Sequence, residues 1–496
     1  MCKKDDIRKI LRQGFLFVIA SGIGFLINTG VTVFLHEVLG ISPGISFAVA
    51  LACAYAANFF NNRKWVFSSD AAPGPQVVRF LLVSLLFRLA EYLVFFILHY
   101  LLGIHYLAAV LIALLSFYLV KFFVYRDLVF TSGKQPVVPR LGRALAFAVL
   151  FFLVIEAGLF GTGIFLQISQ PASYCGQVVA VLRNAANFQE ESGDAQRVLV
   201  LGDSRMGEGF SARICDELGG GRRLWFNASV PGSTPRVWSY LLEELLRQGN
   251  DYDLVVLPLQ SLKARTSERY MADRELDGQF MPPLLPYSRV YEYSTTFDKE
   301  PLSRKMLVRG FLRSFALRKD IWGFLLHPLR RLKDVAKGRA AYKSHYHYQG
   351  REEDLTDKVT LAGNNAVFAP EVPQAEQNQF VLLPEGPTEE IREKEAAYQR
   401  KWVKGIERSC LDSGAGLIIF LAPRGPLGAV YESEVEVDAH KQLGLSDETT
   451  VLPADTFSGL EKPEYFFDHL HMNGRGREKF SHLIYDFVAG TEKGKR

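Results

Sequence analysis

The chain reads as an α-helical membrane bundle followed by an α/β domain built on a doubly wound parallel sheet of flavodoxin-like type. Two observations predict this. Before about residue 170 the sequence holds five apolar stretches of membrane-spanning length, and Phe is concentrated there. After it, short aliphatic runs alternate with amphipathic helical patterns, the succession that builds a parallel sheet. At 496 residues the chain has room for two or three domains.

The apolar stretches run through residues 14–36, 44–60, 80–103, 105–124 and 144–167. The second is short and Ala-rich. The first is not a cleavable signal, because further spans follow it without a small-residue cleavage pattern. Cys2 follows Met1 directly, so no lipoprotein anchor is expected. Loop charges orient the bundle. Lys3, Lys4, Arg8, Lys9 and Arg12 precede the first stretch, and Arg63, Lys64 and Arg79 follow the second. Arg126, Lys134, Arg140 and Arg143 precede the fifth, while loops 37–43 and 103–106 hold no Lys or Arg. The positive-inside rule then puts the N-terminus in the cytoplasm and everything after about residue 168 on the periplasmic or extracellular side of a plasma or inner membrane.

A net charge of +4 points to no nucleic-acid partner. The five cysteines lack metal-ligand spacing, and neither a metal nor a cofactor is expected. Cys215 and Cys410 are either paired in an oxidising compartment or free, partly buried thiols.

An internal repeat organises the first part. Phe59-Phe60-Asn61-Asn62-Arg63-Lys64-Trp65-Val66-Phe67 aligns with Phe122-Phe123-Val124-Tyr125-Arg126-Asp127-Leu128-Val129-Phe130 at an offset of 63. Each copy ends a two-helix hairpin, so the bundle reads as two parallel repeats, an arrangement that places transporter sites at the repeat interface. Arg and aromatic residues also serve as ordinary interfacial anchors.

Residues of about 10–131 resemble the GtrA-like family of four-helix membrane proteins. The resemblance rests on Gly22, Gly24 and Asn28, on Ala57-Asn58-Phe59 followed by Asn62-Arg63-x-Trp65-x-Phe67, and on the related ending from Arg126 to Phe130. It implies a polyprenyl-phosphate-linked sugar or surface glycan as partner, in a setting of membrane lipid. A second copy of the chain and glycan-assembly partners stay open. Arg88 and Glu91, three apart on one helix face, and Lys121 lie within spans, where charges need a partner or an aqueous cavity. In one reading Arg88 and Lys121 hold the lipid phosphate with Glu91 modulating them, and Arg63 and Arg126 are further candidates for binding the lipid phosphate or sugar. In the other, Arg88 and Glu91 neutralise each other and Lys121 snorkels to the surface. Glu156 is expected to make a polar contact within the bundle.

Beyond a linker and fifth helix at 132–170, strands are predicted at Arg197–Leu201, Leu224–Asn227, Asp253–Leu259 and Gly416–Ala422. Helices are predicted at 235–249, 388–412 and 474–490, with an insertion at about 263–388. Gly202-Asp203-Ser204-Arg205 closes the first strand, where sites form in such sheets. Asp468-His469-Leu470-His471 comes late, so a nucleophile, a base and a group to orient the base are all present.

These blocks, with Asn227-Ala-Ser-Val-Pro-Gly232-Ser-Thr between them, resemble the SGNH (GDSL-like) hydrolase family. The resemblance implies Ser204 as nucleophile, His471 as base and Asp468 as its orienting group, with the N–H groups of Ser204 and Gly232 as oxyanion donors. The family places an Asn after the third strand; here Leu257-Pro258-Leu259-Gln260-Ser261-Leu262 stands instead, and Gln260 is the available amide. The expected activity is a serine esterase or O-acyltransferase acting on glycan acyl esters. The alternative is a non-catalytic glycan-binding or assembly module tethered to a lipid-linked sugar translocation bundle. Asp203 is expected to bond its own turn, His469 to pack, and His345 and His347 to lie on the surface. The stretch Arg304–Arg339 carries eleven Lys/Arg against two Asp among aromatic residues. It reads either as a contact for anionic headgroups or glycan, or as a solvated helix face. Arg424 is a further candidate substrate contact.

Overall fold

The computed structural model describes residues 4–96, 117–118, 120–130, 152–153, 155–169, 172–261, 271–340, 346–362, 365–380, 389–423, 425–426 and 437–493. It divides into two compact units, Met1–Gly158 and Leu159–Arg496. Most of the fourth apolar stretch and the first part of the fifth, together with His345 and Arg424, lie outside the described residues.

The first unit is helical: Lys4–Val33, Pro43–Asn61, Pro73–Phe96, and a further helix at 120–124. Pro43, with its fixed φ and no N–H, opens the second helix where no intrahelical donor is needed. Ile10–Val38 and Gly44–Val66 are long and apolar enough to cross a membrane. Phe25, Leu26, Leu82 and Leu86 point outward, each more than half exposed. That surface is unfavourable in water and suited to lipid.

Without a hydrophobic force between helices in lipid, packing and polar contacts hold the bundle, and here the packing is aromatic. Both repeat endings adopt a π-helical turn in the same register, Asn62–Val66 and Tyr125–Val129. The Phe67 N–H donates to Asn62 O and the Phe130 N–H to Tyr125 O, both at 2.9 Å. The rings then contact one another reciprocally. Phe17 meets Phe122 at 5.6 Å, and Phe80 meets Phe59 at 5.6 Å. Phe67–Phe122 and Phe59–Phe130 both lie at 5.8 Å, and Phe17–Phe67 and Phe80–Phe130 both at 6.3 Å. Exchanging each residue for its partner 63 positions away converts one member of each pair into the other. Phe67 stacks on Phe130 at 5.2 Å, a pair that maps onto itself. Such reciprocity marks a two-fold relation between two copies, and it extends the repeat beyond its aligned string to Phe17 and Phe80.

The second unit opens with the short helix Ile164–Ile168 and the helix Tyr174–Ser192, and carries seven described strands: β1 Gln196–Val200, β2 Arg223–Asn227, β3 Leu254–Leu259, β4 Val359–Ala362, β5 Asn365–Phe368, β6 Gly416–Leu421 and β7 Thr450–Val451. The main sheet runs β2-β1-β3-β6-β7 and every pairing is parallel. Val200 pairs with Asn227 on one side and Val256 on the other. Counted along this sheet the order is 2-1-3-4-5, the flavodoxin-like doubly wound order, which reverses between β1 and β3. β4 and β5 form a separate antiparallel hairpin within the insertion.

Both faces of the sheet are covered. Leu199 and Leu201 enter a core with Trp238, Leu241, Trp402 and Ile406, from helices Pro235–Arg247 and Glu389–Ser413. Val198 and Val200 enter the other with Met206, Trp225, Phe480 and Ile484, partly from the C-terminal helix Gly474–Lys493. Strands buried on both sides read as continuous apolar runs, which is why β1, β3 and β6 stand out in the sequence. Cys215 belongs to the second core and Cys410 to the first, and both are free thiols, so the disulfide alternative does not apply.

The insertion is tied down by buried charge. The Arg236 guanidinium donates to Met271 O at 3.1 Å and Ala272 O at 2.7 Å, and lies over the Phe297 ring at 4.0 Å. It also pairs with fully buried Asp277 at 3.5 Å, whose carboxylate accepts from Thr234 Oγ1 at 2.7 Å. Some of the basic stretch is likewise structural. Arg309 is buried and donates to Gly278 O, while Arg313 donates to Leu285 O and Gly161 O. Buried Asp320 accepts from the N–H groups of Ala172 and Ser173. Part of the charge of this stretch thus supplies hydrogen bonds to backbone groups that burial would otherwise leave unsatisfied.

A Cβ built on Gly24 would lie 2.4 Å from the Asn58 side chain, whereas one on Gly22 meets nothing within 4 Å. Gly24→Val is expected to lower the melting temperature of the detergent-solubilised chain, with Gly22→Val close to the parent. Equal shifts in a fluorescence melt would exclude close packing at Gly24.

Candidate functional site

β1 delivers Ser204. After Leu201 the chain turns through Gly202 and Asp203 into the short helix Ser204–Gly209. Gly202 has φ +147°, and a Cβ there would lie 2.6 Å from Met206, so only glycine fits. Asp203 caps the helix: its carboxylate accepts from the Arg205 N–H at 2.9 Å and from Gln260 Nε2 at 2.8 Å. This turn sits at the carboxyl end of β1, beside the reversal of strand order where crevices open in such sheets.

His471 comes from a tight loop before the C-terminal helix. The Phe467 N–H donates to His471 O at 3.1 Å, closing the loop. Within it, Asp468 Oδ1 accepts from the N–H groups of Leu470 (2.8 Å) and His471 (2.7 Å). Asp468 Oδ2 lies 2.8 Å from His471 Nδ1, and His471 Nε2 lies 2.8 Å from Ser204 Oγ. A proton on Nδ1, donated to Asp468, leaves Nε2 to accept the Ser204 hydroxyl. Partial burial on its own would push the Asp468 carboxyl up. The hydrogen bonds from the His471 ring and the two backbone N–H groups outweigh it and hold the carboxyl at about 2.

The middle block braces this turn. Asn227 Nδ2 donates to Met206 O and Phe210 O, and its Oδ1 accepts from the Ser229 N–H. The Val230 N–H donates to Gly202 O at 2.9 Å, linking the Gly232 turn to the serine turn. Ser233 Oγ donates to Val230 O and accepts from Trp238 Nε1, both at 2.6 Å. Gly232 has φ +74°, the left-handed region that selects glycine. Gln260 turns one N–H of its amide to Asp203 and so holds the serine turn.

Ser204, His471 and Asp468 are thus brought into one hydrogen-bonded chain. Asp203 bonds its own turn, as expected. His471 rather than His469 reaches Ser204, while burial lowers the His469 pKa. His347 is exposed. Two neighbours escaped the sequence reading. The Phe467 ring stacks on His471 at 5.7 Å, and the Arg351 guanidinium lies 4.4 Å over Phe467. Arg351 comes from the insertion, and a contact between such distant positions leaves no local pattern.

In the first unit, Arg88 donates to Glu91 at 2.9 Å, and Lys121 pairs with the same carboxylate. Glu91 is buried and Arg88 is half-exposed. Lys121, instead of snorkelling, is held by the Glu91 carboxylate of the helix Pro73–Phe96. At the offset of 63, Glu91 and Lys121 correspond to Asn28 and Asn58, so the ion pair belongs to one copy only. Arg63 donates to Gln76 Oε1 at 3.0 Å and Ala71 O at 2.8 Å, tying the loop between the second and third helices. Arg126 pairs with Asp127 at 2.7 Å and lies over the Phe123 ring. The structure therefore joins Arg88, Glu91 and Lys121, and engages Arg63 and Arg126 with other groups. Glu156 is buried. Among the described residues no cluster of His, Cys, Asp or Glu could hold a metal ion.

A helical domain with spanning segments, followed in the chain by a parallel α/β unit, defines a membrane protein with a second, sheet-based domain. Residues 16–130 match the GtrA/DPMS transmembrane domain. No curated protein matches the chain.

The folded pKa of Asp468 lies below the ordinary carboxylate value of 3.8, so its stabilisation is present above that value and is lost as pH falls toward about 2. Asp468→Asn is expected to cost about 1–2 kcal/mol near neutral pH, allowing for solvent screening of the half-buried group. Denaturant unfolding should show that gap closing below about pH 4; a gap independent of pH would rule out the ionic contribution.

Proposed function

We propose that the protein acts in cell-surface polysaccharide or glycolipid synthesis. Its GtrA-like bundle handles a polyprenyl-phosphate-linked sugar, and its second domain, on the side of the membrane away from the cytoplasm, is an SGNH-type serine esterase or O-acyltransferase working on glycan acyl esters. The observation that carries the enzymatic half is the continuous bond chain Ser204–His471–Asp468 at 2.8 Å per link. The match of residues 16–130 supports the membrane half.

The chemistry follows from that chain. Ser204 Oγ attacks the ester carbonyl as His471 Nε2 takes its proton, and Asp468 stabilises the imidazolium. Negative charge on the former carbonyl oxygen is met by the Ser204 and Gly232 N–H groups, and by the remaining N–H of Gln260. The leaving alcohol takes the proton from His471, leaving an acyl-serine. Water then attacks in an esterase, or a sugar hydroxyl in a transferase, giving its proton to His471, which passes it to Ser204 Oγ as the acyl–serine bond breaks.

In the bundle, Arg88 and Lys121 share one carboxylate, which leaves one positive charge for a lipid phosphate to neutralise. Arg63, occupied by Gln76 and Ala71, serves the loop. The second reading, a non-catalytic glycan-binding module, is favoured by the Gln260 amide being engaged by Asp203 where the family has a free Asn.

Intact mass of the full-length chain after exposure to a fluorophosphonate separates the two. One adduct on the parent and none on Ser204→Ala is expected, with labelling of Asp468→Asn slowed by roughly 10²–10⁴. No adduct on folded parent would exclude an activated serine. For the bundle, Arg88→Ala combined with Lys121→Ala should abolish surface glycan at unchanged protein level; normal glycan would remove the carrier role.

A further inference from the structure

The basic insertion holds a surface that the proposed reaction leaves unused. Two helices of its basic stretch, Arg318–Leu326 and Pro328–Ala340, split their residues between two environments. Phe324 packs on Phe165, which is only 3% exposed, and Val335 is buried. Leu325, Leu326, Leu329 and Leu332 face outward at 60%, 53%, 75% and 45% exposure. Four leucines together on the outside of a water-facing domain are costly unless something apolar covers them.

The charges beside them indicate what does. On Pro328–Ala340, Leu329, Leu332 and Ala336 recur at helical spacing and form one stripe. Arg330, Lys333 and Lys337 recur one position later, forming a second stripe about 100° around the helix. All three cations are exposed and none pairs with a carboxylate among the described residues. The helix holds five Lys/Arg and one Asp. An apolar stripe flanked by a cationic one is the pattern of a helix lying in the headgroup layer, with leucines in the acyl region and cations on lipid phosphates.

Chain continuity supplies the second observation. Pro328–Ala340 packs against Ile164–Ile168, the end of the apolar stretch 144–167. Ile164 and Ile168 are themselves exposed, at 44% and 38%. The leucine stripe thus sits beside the segment where the chain leaves its last apolar stretch, a place where lipid is the neighbouring apolar phase.

We propose that Leu325, Leu326, Leu329 and Leu332 insert into the leaflet facing the second domain, with Arg330, Lys333 and Lys337 on anionic headgroups. This docking restrains the domain against the membrane surface. It depends on the chain being a membrane protein and is independent of whether Ser204 is a nucleophile.

The test uses the full chain with Cys2→Ser and Cys53→Ser, reconstituted in phosphatidylglycerol or phosphatidylcholine vesicles that contain doxyl-labelled lipid. An environment-sensitive fluorophore is placed at Leu329→Cys, at Leu325→Cys, or at the exposed control Leu411→Cys. Expected are blue-shifted emission and doxyl quenching at positions 329 and 325 in phosphatidylglycerol, and neither at 411. Each cation replaced by Gln should weaken docking about fivefold. Quenching at 329 and 325 no greater than at 411 overturns the proposal, as does equal quenching in the two lipids. A blue shift without doxyl quenching would mean that protein covers the stripe, which also overturns it.

Discussion

Strand β1 is paired on both edges and buried on both faces, and the second unit is arranged around that constraint. Val198, Leu199, Val200 and Leu201 are all fully buried. At about 1.5–3 kcal/mol for each aliphatic side chain taken out of water, the strand's position is strongly specified. A register slip of one residue would exchange the two cores, since Leu199 and Leu201 fill one and Val198 and Val200 the other. The chain can leave this strand only at its carboxyl end, through the one glycine that tolerates Met206 at contact distance, and the next residues are Asp203 and Ser204. The nucleophile candidate thus follows directly on a strand buried on both faces and paired on both edges.

The bundle meets a different constraint. Lipid gives helices no hydrophobic reason to associate, so shape and polar contacts must specify the packing. Duplication supplies shape: the Phe17, Phe59 and Phe67 rings of one copy and the Phe80, Phe122 and Phe130 rings of the other meet in reciprocal pairs. Polarity then breaks the symmetry. The first copy places Asn28 and Asn58 where the second places Glu91 and Lys121, so at these two positions charge is confined to one copy of a near-symmetric frame. Arg88, half-exposed beside buried Glu91, is the member of that cluster most open to an incoming anion.

Much of this organisation was legible in the residues. The strands ending at Val200, Asn227, Leu259 and Leu421 were readable because double burial writes unbroken apolar runs. The helices at Pro235–Arg247 and Glu389–Ser413 were readable from their amphipathic spacing. β7, two residues long, has too little sequence to carry a period. The insertion was read as one long interruption, because the ordering of its helical part depends on Arg236, Arg309, Arg313 and Asp320, whose partners are backbone groups far away in the chain. Charge counting marked the basic stretch, but could not separate the arginines that burial consumes from those left on the surface.

By itself the sequence determined the parallel α/β layout, the 63-residue repeat and the identities of Ser204, Asp468 and His471. These follow from local period and residue chemistry, which are written along the chain. Tertiary structure alone decided the strand order that brings the ends of β1 and the C-terminal loop together. It also decided the turning of Gln260 onto Asp203, the capture of Lys121 by Glu91 and the stacking of Phe467 beneath Arg351. Each of these is settled by which group lies within about 3–5 Å once distant segments have packed, and short-range interactions of that kind leave no trace in spacing along the sequence.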